Sequence, residues 1–397
     1  MKNILIIGAG YAGMMAALRL SHTTRNRKDV NVTLVSGAEH FVERILLHEV
    51  AADNPPEKHR IESLIARTGV DFLQGWVTDI HPESKTVAVQ TTQGATSLQY
   101  DKLVYALGSS VKKNAIPGAS EYAYSIDPES APLLQNRLKS LSAGQQVMVI
   151  GGGLTGIESA TEIAESYPDL QVTLITGGEF GENLSAKGQA YLRKVFAEMN
   201  ITVLENVHVT AIEKDHLVTN DATLEHDGVV VRATGFAVPE LAKQSGFAVD
   251  KAGRMLVDSQ LRSISYSDVY VAGDALTFGD HASLENHMTC QTAMPLGTHV
   301  GDNLAAWIRG KQEEPFAFGY VLQCISLGQK RGLAQMVNPD HSMKPTVFTG
   351  RTGSIVKRII LTYTLWSIFL ERRFPAYMWA KNISTQETSV RKPVAEH

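Results

Sequence analysis

The chain has 397 residues, of which 44% are hydrophobic and 20% are charged, and its formal net charge is −4. This length predicts two or three domains, and the composition is typical of globular proteins rather than disordered ones. The negative net charge argues against general binding of nucleic acid. Only two cysteines, Cys290 and Cys324, are present. They exclude a disulfide framework and suit a reducing cytosol.

A run of four apolar residues near the N-terminus predicts a buried parallel strand, and a Gly-x-Gly-x-x-Gly loop follows it. In such a loop Gly8 allows a tight turn, Gly10 lets the backbone approach a pyrophosphate, and Gly13 lets the next helix lie close to the strand. The phosphates would bind free N–H groups at the start of the predicted helix Tyr11–Leu20, where the helix dipole favours negative charge. One such loop alone is weak support for a dinucleotide site.

The predicted second strand, Val30–Val35, ends where a dinucleotide site usually offers an acid to the adenosine ribose. Ser36 occupies that position, and Glu39 is the nearest acid. A serine hydroxyl can also bond to a ribose hydroxyl, so Ser36 is a candidate cofactor contact. Arg44 is a candidate for pairing with a cofactor phosphate, and the alternative is a solvated helix arginine.

The segment Val70–Tyr100 alternates between short apolar stretches and turn residues, which predicts an antiparallel excursion from the parallel sheet. The chain then returns through a buried strand in Tyr100–Ser109, which ends in small residues that include Ala106 and Gly108. A helix is predicted around Ser130–Leu141.

A second strand–glycine loop–helix pattern contains Gly151, Gly153 and Gly156. Two loops of this kind in one chain indicate two dinucleotides. Glu158 lies one turn into the second predicted helix, where it would face a nicotinamide. The alternative is an acid that stabilises the N-terminal turn of the helix.

The predicted strand Val172–Ile175 ends at Thr176, where an acid would favour NAD and a nearby arginine NADP. Neither is present, so this position favours neither NADH nor NADPH as the second cofactor, NAD(P)H. Another crossing of small residues, around Gly235, is predicted to return the chain to the first domain. A buried strand then delivers Gly273 and Asp274 to the sheet edge where ligands bind in open α/β folds. The alternative role for Asp274 is a helix cap.

The C-terminal part begins after a predicted helix Asn286–Trp307, in which Pro295 would kink an interior turn. Strands are predicted within Phe316–Val337. Residues Ile355–Arg373 form a helix candidate with an aromatic centre and basic flanks, too short to span a bilayer but suited to its interface. The alternatives are a core helix or a subunit interface that would make a homodimer. The polar tail from Ser384 is predicted to be disordered.

The order of these motifs resembles that of the two-dinucleotide-binding-domain flavoproteins (pyridine nucleotide oxidoreductases), and among them the type II NADH dehydrogenases. The resemblance covers about residues 1–310. It implies that the first loop holds FAD, that the second holds NAD(P)H, and that Asp274 bonds to the ribityl chain of the flavin. The implied cofactor-binding residues are Gly8, Gly10, Ala12, Gly13, Ser36, Arg44, Ala106, Gly108, Gly151, Gly153, Gly156, Gly235, Gly273 and Asp274.

Type II NADH dehydrogenases carry Ala-Gln-x-Ala-x-Gln beside the flavin and the quinone. Here Gln291 and Ala293 match this motif, whereas Pro295 replaces its final glutamine. The resemblance therefore implies Gln291 as a catalytic residue beside the acceptor, with Glu158 as the second candidate. Disulfide-reducing members carry a cysteine pair near residues 40–49, and its absence excludes dithiol chemistry. No metal-ligand spacing is present.

These observations predict an α/β protein with two Rossmann-like dinucleotide-binding domains, for FAD and NAD(P)H, one inserted in the other, and a small C-terminal α+β domain. The expected boundaries are residues 1–110 and 238–312 for the FAD domain, 111–237 for the NAD(P)H domain, and 313–397 for the C-terminal domain.

The implied activity is hydride transfer from NAD(P)H to FAD, followed by electron transfer to a quinone-like acceptor. Such an enzyme would be cytoplasmic and peripheral on the inner face of the cell membrane, with residues 355–373 as the contact. A soluble reductase for ferredoxin or rubredoxin is the alternative. A third hypothesis is a flavoprotein that senses NAD(H) and acts by binding a partner.

Overall fold

The computed structural model describes residues 1–112, 116–279 and 284–384. The first part of the chain contains β1 (Lys2–Ile7), α1 (Tyr11–Thr24), β2 (Val30–Ser36), β3 (His40–Phe41), a 3₁₀ turn (Arg44–Leu46), α2 (Leu47–Ala51), β4 (His59–Arg60), α3 (Ile61–Ile65), β5 (Val70–Gln74), β6 (Trp76–His81), β7 (Thr86–Thr91), β8 (Gly94–Gln99), β9 (Lys102–Tyr105) and β10 (Ser110–Val111). The second part contains α4 (Ala119–Tyr122), β11 (Ala123–Ser125), α5 (Ser130–Lys139), β12 (Gln146–Ile150), α6 (Leu154–Ser166), β13 (Gln171–Ile175), α7 (Ala186–Glu198), β14 (Thr202–Leu204), β15 (Val209–Ile212), β16 (His216–Thr219), β17 (Thr223–Glu225), β18 (Val229–Arg232) and β19 (Phe236–Ala237).

The third part contains α8 (Leu241–Gln244), β20 (Met255–Leu256), β21 (Val269–Val271), β22 (Leu276–Thr277) and α9 (Cys290–Ile308). The last part contains β23 (Ala317–Phe318), β24 (Leu322–Ser326), β25 (Gly332–Val337), β26 (Met343–Thr349), α10 (Gly350–Glu371) and β27 (Ile383–Ser384).

Two parallel five-stranded sheets organise the chain. The first has the order β21-β9-β1-β2-β5, and the second has the order β11-β18-β12-β13-β14. The chain leaves the first sheet after β9, builds the second, and returns to pair β21 with β9. The antiparallel pair β10–β19 joins the two crossings. The predicted α/β fold, with one Rossmann-like unit inserted in the other, is therefore confirmed, whereas the exact domain boundaries stay a prediction.

The predicted antiparallel segment Val70–Tyr100 is wrong at its first strand. β5 extends the first parallel sheet, with Val70 opposite Val32 of β2. As an edge strand it buries only Val70 fully, so its sequence alternates like that of a half-exposed antiparallel strand. The antiparallel arrangement holds for β6, β7 and β8, which form a meander.

Helix α9 begins four residues later than predicted, at Cys290 rather than Asn286. The reason is a capping box, in which the Thr289 hydroxyl accepts a hydrogen bond from the Thr292 N–H and the Thr292 hydroxyl accepts one from the Thr289 N–H. The helix contains Pro295 and continues to Ile308.

Small residues let α9 pack closely along α1. A Cβ atom at Gly297 would overlap the backbone carbonyl of Ala12, and one at Gly301 would meet Ala16 and Arg19. Because Gly297 meets Ala12 and Gly301 meets Ala16, the two helices run in the same direction and their N-terminal ends lie near each other. This contact fixes Gln291, near the start of α9, relative to the first glycine loop.

The C-terminal part consists of the antiparallel sheet β24-β25-β26 and helix α10. The predicted bounds Ile355–Arg373 miss the first turn, because the helix begins directly after β26. Helix α10 has 22 residues, about 33 Å at 1.5 Å per residue, and its apolar part has a mean hydropathy of 1.2, so by length and composition alone it could cross a membrane. The expectation that it is too short to span a bilayer is therefore wrong. The predicted disordered tail after Ser384 lies outside the described residues.

The α1–α9 contact leads to a prediction about stability. Gly297→Val should lower the free energy of unfolding by about 2–3 kcal/mol, because the added side chain overlaps the Ala12 carbonyl and forces the helices apart. Urea denaturation of the cofactor-free protein measures this. Gly153→Val is the control, since a Cβ there meets no atom within 4 Å; equal losses in both variants would contradict the prediction.

Candidate functional site

The first glycine loop is shaped by close backbone contacts. Gly8 has a φ of 99°, and a Cβ there would overlap the carbonyl of Ala106 on the neighbouring crossing. A Cβ at Gly13 would overlap the Gly8 carbonyl. Gly10 differs, because a Cβ at this position would meet no atom within 4 Å, and it caps α1 without a side-chain hydrogen bond. The loop thus leaves open space in front of free N–H groups at the helix start.

The second glycine loop repeats this geometry. Gly151 has a φ of 125°, and a Cβ there would meet Thr234 on the second crossing. A Cβ at Gly156 would overlap the Gly151 carbonyl, whereas Gly153 faces open space and caps α6. Neither α1 nor α6 has an acidic residue in its first turn, so no carboxylate on these turns competes with a phosphate. Both loops therefore fit the pyrophosphate of a dinucleotide.

Asp274 lies at the end of β21, beside the first loop. The Ser109 hydroxyl donates a 2.6 Å hydrogen bond to its carboxylate. Burial raises the pKa of Asp274, while this hydrogen bond acts in the opposite direction. The Asn286 amide donates hydrogen bonds to the carbonyls of Gly273 (3.0 Å) and Leu276 (3.2 Å), which fixes the loop that presents the carboxylate. Asp274 does not cap a helix, the alternative role predicted for it, because strand β22 follows it directly.

Other predicted cofactor residues lie around the same loop. The Arg44 guanidinium donates a hydrogen bond to the Ser109 carbonyl and lies beside Gly108. Its charge also acts on Asp274 to lower the pKa of that carboxyl group. Ser36 ends β2, and its hydroxyl accepts a hydrogen bond from the Ala38 N–H. Contacts of Arg44 with a phosphate and of Ser36 with a ribose stay predictions.

Two more members of the predicted set lie at contacts between elements. A Cβ at Gly273 would come within 3.2 Å of the Ala12 side chain, so the Asp274 loop rests directly on α1. Gly235 has a φ of 77° and precedes β19, the strand that pairs with β10. Gly273 thus lies against the first residues of α1, and Gly235 lies on the second crossing.

Glu158 forms a buried ion pair that joins α6 to α10. Its Oε1 atom accepts hydrogen bonds from the Lys357 ammonium (2.8 Å) and from the Ser326 N–H (2.9 Å), and His48 Nδ1 lies 3.9 Å from Oε2. Burial alone would raise the pKa of Glu158, but Lys357 and His48 outweigh it and the net shift is downwards. Burial would likewise lower the pKa of Lys357, and the Glu158 carboxylate raises it instead. Both groups are therefore charged.

The ion pair lies beside the start of α9. Its two charges act on the Cys290 thiol, and that thiol acts in turn on the Tyr11 hydroxyl at the start of α1. Gln291 follows Cys290, is half-buried, and has no hydrogen-bond partner for its side-chain amide among the described residues. The structure thus brings both predicted catalytic residues, Gln291 and Glu158, into one region around Cys290 and Lys357, which is termed the cleft. Their catalytic roles stay predictions.

The position of Glu158 excludes one of its two predicted roles, that of an acid stabilising the N-terminal turn of the helix. Glu158 lies beyond the first turn of α6, so stabilisation of the helix terminus is not its role. Sequence reasoning did not identify Lys357, Ser109 or Asn286 as parts of the site. A signal for Lys357 was present, since it lies two residues after Ile355 and hence on the side of α10 opposite the exposed apolar residues.

One group of potential metal ligands lies away from this cleft. Asp215, His216 and Glu225 carry ligand atoms within 4.8 Å of one another on the small sheet β15-β16-β17. The two carboxylates are exposed, and His216 is already hydrogen-bonded to Asp215. We assign no metal to this group.

Comparisons with known proteins point to one family. The sequence profile described as pyridine nucleotide-disulphide oxidoreductase matches residues 2–297. An NADH dehydrogenase-like protein of Mycobacterium tuberculosis is 29% identical over 328 residues, which cover 77% of this chain and 80% of the relative. A type II NADH:quinone oxidoreductase of Staphylococcus aureus is 26% identical over 403 residues, with 92% of this chain and 96% of the relative covered.

Solved structures share the fold along nearly the whole chain. The sulfide:quinone oxidoreductase of Aquifex aeolicus superposes with a TM-score of 0.79 at 20% identity, covering 94% of this chain and 92% of that one. NDH2 of Plasmodium falciparum, solved in complex with NADH, superposes with a TM-score of 0.76 at 18% identity, covering 94% and 98%.

The two loops can be separated by matched substitutions. Gly10→Val should abolish binding of FAD, because the side chain fills the space in front of the α1 N-terminus. Gly153→Val should keep FAD and lose reduction by NAD(P)H for the same reason at α6. Flavin absorbance of the purified variants and anaerobic bleaching by NADH and NADPH measure both effects. A folded Gly153→Val protein without FAD would contradict this assignment.

Proposed function

Because the chain belongs to the pyridine nucleotide-disulphide oxidoreductase family, we propose that it oxidises NAD(P)H and reduces a quinone at a membrane surface. The family match confirms the resemblance predicted from the motifs. The chain is an FAD-dependent NADH oxidoreductase that uses FAD and NAD(H). The quinone acceptor, the membrane contact and the roles of individual residues belong to the proposal.

Bound FAD supplies the redox chemistry, taking a hydride from NAD(P)H and giving two electrons to the acceptor. The protein binds and orients both partners. The open space at Gly10 and the N-terminus of α1 would hold the FAD pyrophosphate, and Asp274 would accept hydrogen bonds from the ribityl hydroxyls. The open space at Gly153 and the N-terminus of α6 would hold the pyrophosphate of NAD(P)H.

The thiols of this chain are unsuited to relay electrons by disulfide exchange. Cys290 and Cys324 are the only cysteines, and neither lies in the segment where disulfide-reducing members keep their pair. Burial raises the pKa of both thiols, that of Cys324 to about 12. They therefore stay protonated, and a protonated thiol is a poor nucleophile. The acceptor would take electrons directly at the flavin.

The two faces of α10 differ in a way that favours a lipid-soluble acceptor. One face presents exposed apolar side chains at a spacing of three or four residues, which places them on a single stripe. The members of this stripe are Ile355, Ile359, Tyr363, Trp366 and Leu370. The opposite face carries Lys357, which reaches the Glu158 carboxylate at the cofactor cleft. The same helix thus connects the cleft to an apolar outer surface.

The surroundings of the stripe favour an anionic membrane. Exposed arginines, Arg351, Arg358 and Arg373, lie at and between its ends. Basic and aromatic residues together are typical of helices that lie in the interface of an anionic bilayer. The relative in Staphylococcus aureus is named as a quinone reductase. A soluble reductase for a small redox protein would instead require a charged docking face, and a homodimer would bury the stripe.

Gln291 would act on the acceptor. Its side-chain amide is free among the described residues, at the N-terminal end of α9 where the helix dipole favours negative charge. A hydrogen bond from this amide to a quinone oxygen would strengthen as electrons arrive. The Lys357 ammonium nearby would stabilise negative charge on the reduced acceptor, and its pairing with Glu158 holds it in place.

The proposed function is tested by separating its two half-reactions. The purified protein is reduced anaerobically with NADH or NADPH and then mixed with a panel of soluble quinones and ferredoxins. Fast reoxidation by quinones alone supports the proposal. Reoxidation by a ferredoxin and not by quinones would support the soluble reductase.

Gln291→Ala should leave reduction of the flavin by NAD(P)H nearly unchanged and slow its reoxidation by quinone about a hundredfold. The reason is the loss of a hydrogen bond made mainly as charge develops on the acceptor, which is worth on the order of 2–4 kcal/mol. Stopped-flow absorbance of the flavin measures both rates, and the reductive half-reaction is the internal control. A wild-type rate of reoxidation would place the quinone elsewhere.

Trp366→Glu should reduce binding to anionic vesicles, because it puts a charge in the middle of the apolar stripe. Leu133→Glu is the matched control, since Leu133 on α5 is 59% exposed and Trp366 is 58% exposed. Sedimentation with vesicles measures binding, and analytical ultracentrifugation of both proteins detects a dimer. A wild-type protein that dimerises and does not sediment with vesicles would assign the stripe to a subunit interface.

A further inference from the structure

The two dinucleotide units share the same turn after their second strand. In the first unit β2 ends at Ser36 and Gly37 follows; in the second, β13 is followed by Thr176 and Gly177. Each hydroxyl accepts a hydrogen bond from the backbone N–H two residues further on, at 3.2 Å in the first unit and 3.4 Å in the second. The two units therefore match beyond their glycine loops, at the sheet edge where a ribose would bind.

An exposed ring lies over the glycine of this turn in both units. A Cβ atom at Gly37 would overlap the Trp76 indole, and a Cβ atom at Gly177 would come within 3.1 Å of the His208 imidazole. The indole is 67% exposed, and His208 is exposed as well. Trp76 and His208 are called the covering rings below. Each covering ring lies where a side chain at the glycine would otherwise be.

The backbone holds both covering rings in the same way. The Gly75 N–H donates a 2.9 Å hydrogen bond to the Ser36 carbonyl, and the Val207 N–H donates a 3.0 Å hydrogen bond to the Thr176 carbonyl. In each unit the residue with the covering ring directly follows this donor. The match therefore includes the glycine, the backbone hydrogen bond and the ring, although one ring is an indole and the other an imidazole.

The strand order places the covering rings beyond the expected ribose sites. The sheets run β1-β2-β5 and β12-β13-β14 from the strand before the glycine loop outwards. A pyrophosphate at the glycine loop and a ribose at the end of the second strand direct the adenine towards the third strand. Trp76 begins β6 directly after β5, and His208 lies in the segment after β14. Both covering rings are thus at the outer end of a dinucleotide site.

Neither unit offers the acid that usually binds the adenosine ribose, because Ser36 and Thr176 occupy these positions. Affinity for the adenosine end must therefore come from another contact. An adenine ring presents an apolar face, and stacking on an aromatic side chain stabilises it without requiring a charged partner. A single exposed aromatic residue is common on protein surfaces. Two that lie over matching glycines at matching sites point to a shared ligand group.

We propose that the Trp76 indole stacks on the adenine of FAD and that the His208 imidazole stacks on the adenine of NAD(H). The inference uses the assignment of FAD to the first glycine loop and of NAD(H) to the second. It is independent of the quinone and of the membrane contact. Because an indole has a larger face than an imidazole, Trp76 contributes more to binding than His208 does.

A purely structural role for the covering rings makes a different prediction. Trp76 could serve only to cover Gly37 and to hold the end of β5 against β2. Phenylalanine and leucine would both fill that role, whereas only phenylalanine presents a flat face to adenine. Trp76→Phe and Trp76→Leu therefore separate stacking from packing. Urea denaturation of the cofactor-free variants measures any loss of packing directly.

The first measurement is calorimetric titration of the cofactor-free protein with FAD. Trp76→Leu should raise the Kd for FAD about tenfold, and Trp76→Phe should retain most of the affinity. Equal affinities of the two variants would overturn the proposal for Trp76. A lower affinity of Trp76→Leu that is matched by an equal loss of its free energy of unfolding relative to Trp76→Phe would indicate packing and overturn it as well.

The second measurement concerns the other unit and uses the FAD-loaded enzyme. The probe is ADP-ribose, which contains the adenine and the pyrophosphate of NAD(H) but no nicotinamide and therefore does not reduce the flavin. His208→Ala should weaken its binding about threefold to tenfold, whereas Trp76→Leu should not change it. Conversely, His208→Ala should bind FAD with wild-type affinity. Wild-type binding of ADP-ribose by His208→Ala would overturn the second half of the proposal, and exchanged effects of the two variants would overturn the assignment of the cofactors.

The third measurement tests whether Gly37 acts through the indole. Gly37→Ala should weaken FAD binding, because the added Cβ atom overlaps the indole and displaces it. The double variant Gly37→Ala/Trp76→Leu should lose no more affinity than Trp76→Leu alone, since the displaced group is already absent. Additive losses would show that Gly37 and Trp76 act separately and would overturn this part of the proposal.

Fluorescence reports the contact itself without flavin. ADP, which carries adenine and no flavin, should quench part of the tryptophan emission of the cofactor-free protein, and this part should be absent in Trp76→Phe. Quenching that persists in Trp76→Phe would overturn the proposal. A wild-type enzyme that no quinone reoxidises would contradict the proposed function alone, because none of these binding measurements involves an acceptor.

Discussion

The buried ion pair between Glu158 and Lys357 is the interaction on which the arrangement of the cleft depends. Its partners are 199 residues apart in the chain, one in the second dinucleotide unit and one in the C-terminal helix. Leaving either charge buried and unpaired typically costs about 3–5 kcal/mol, so neither element can move away alone. The pair thereby holds α6 of the second dinucleotide unit and α10 of the C-terminal part together beside the start of α9, where Gln291 lies.

The glycine loops show how strongly backbone contact limits the sequence. In both units the first and third glycines are required by neighbouring carbonyl groups or side chains, whereas the second faces open space. No neighbouring atom requires glycine at Gly10 and Gly153, so we attribute glycine there to the space that a bound pyrophosphate would need. The tight contact of Gly297 with Ala12 extends the same constraint to α9. Close contact between backbones therefore both shapes the cofactor loops and packs α9 against α1.

The sequence predicted the parts of this site whose cause is local. The glycine loops and the strands before them could be recognised because each residue is constrained by its near neighbours in the chain. The partners of Glu158 could not be recognised, because Lys357 and Ser326 meet α6 only through the fold. The predicted start of α9 was wrong for a similar reason. The Asn286 side chain forms hydrogen bonds with the loop after β21 and does not begin the helix.

Helix α10 is attached to the body near both of its ends. Near its start Lys357 is tied to α6, and at its end the fully buried Glu371 pairs with Arg19 of α1 at 2.6 Å. The two attachments are about 21 Å apart along the helix axis. The helix therefore acts as a brace across the two dinucleotide units, and a hinge motion between them would have to break one attachment. Exchange of substrates is thus expected to proceed by local movement of loops, with the distance between the two bound cofactors held constant throughout the catalytic cycle.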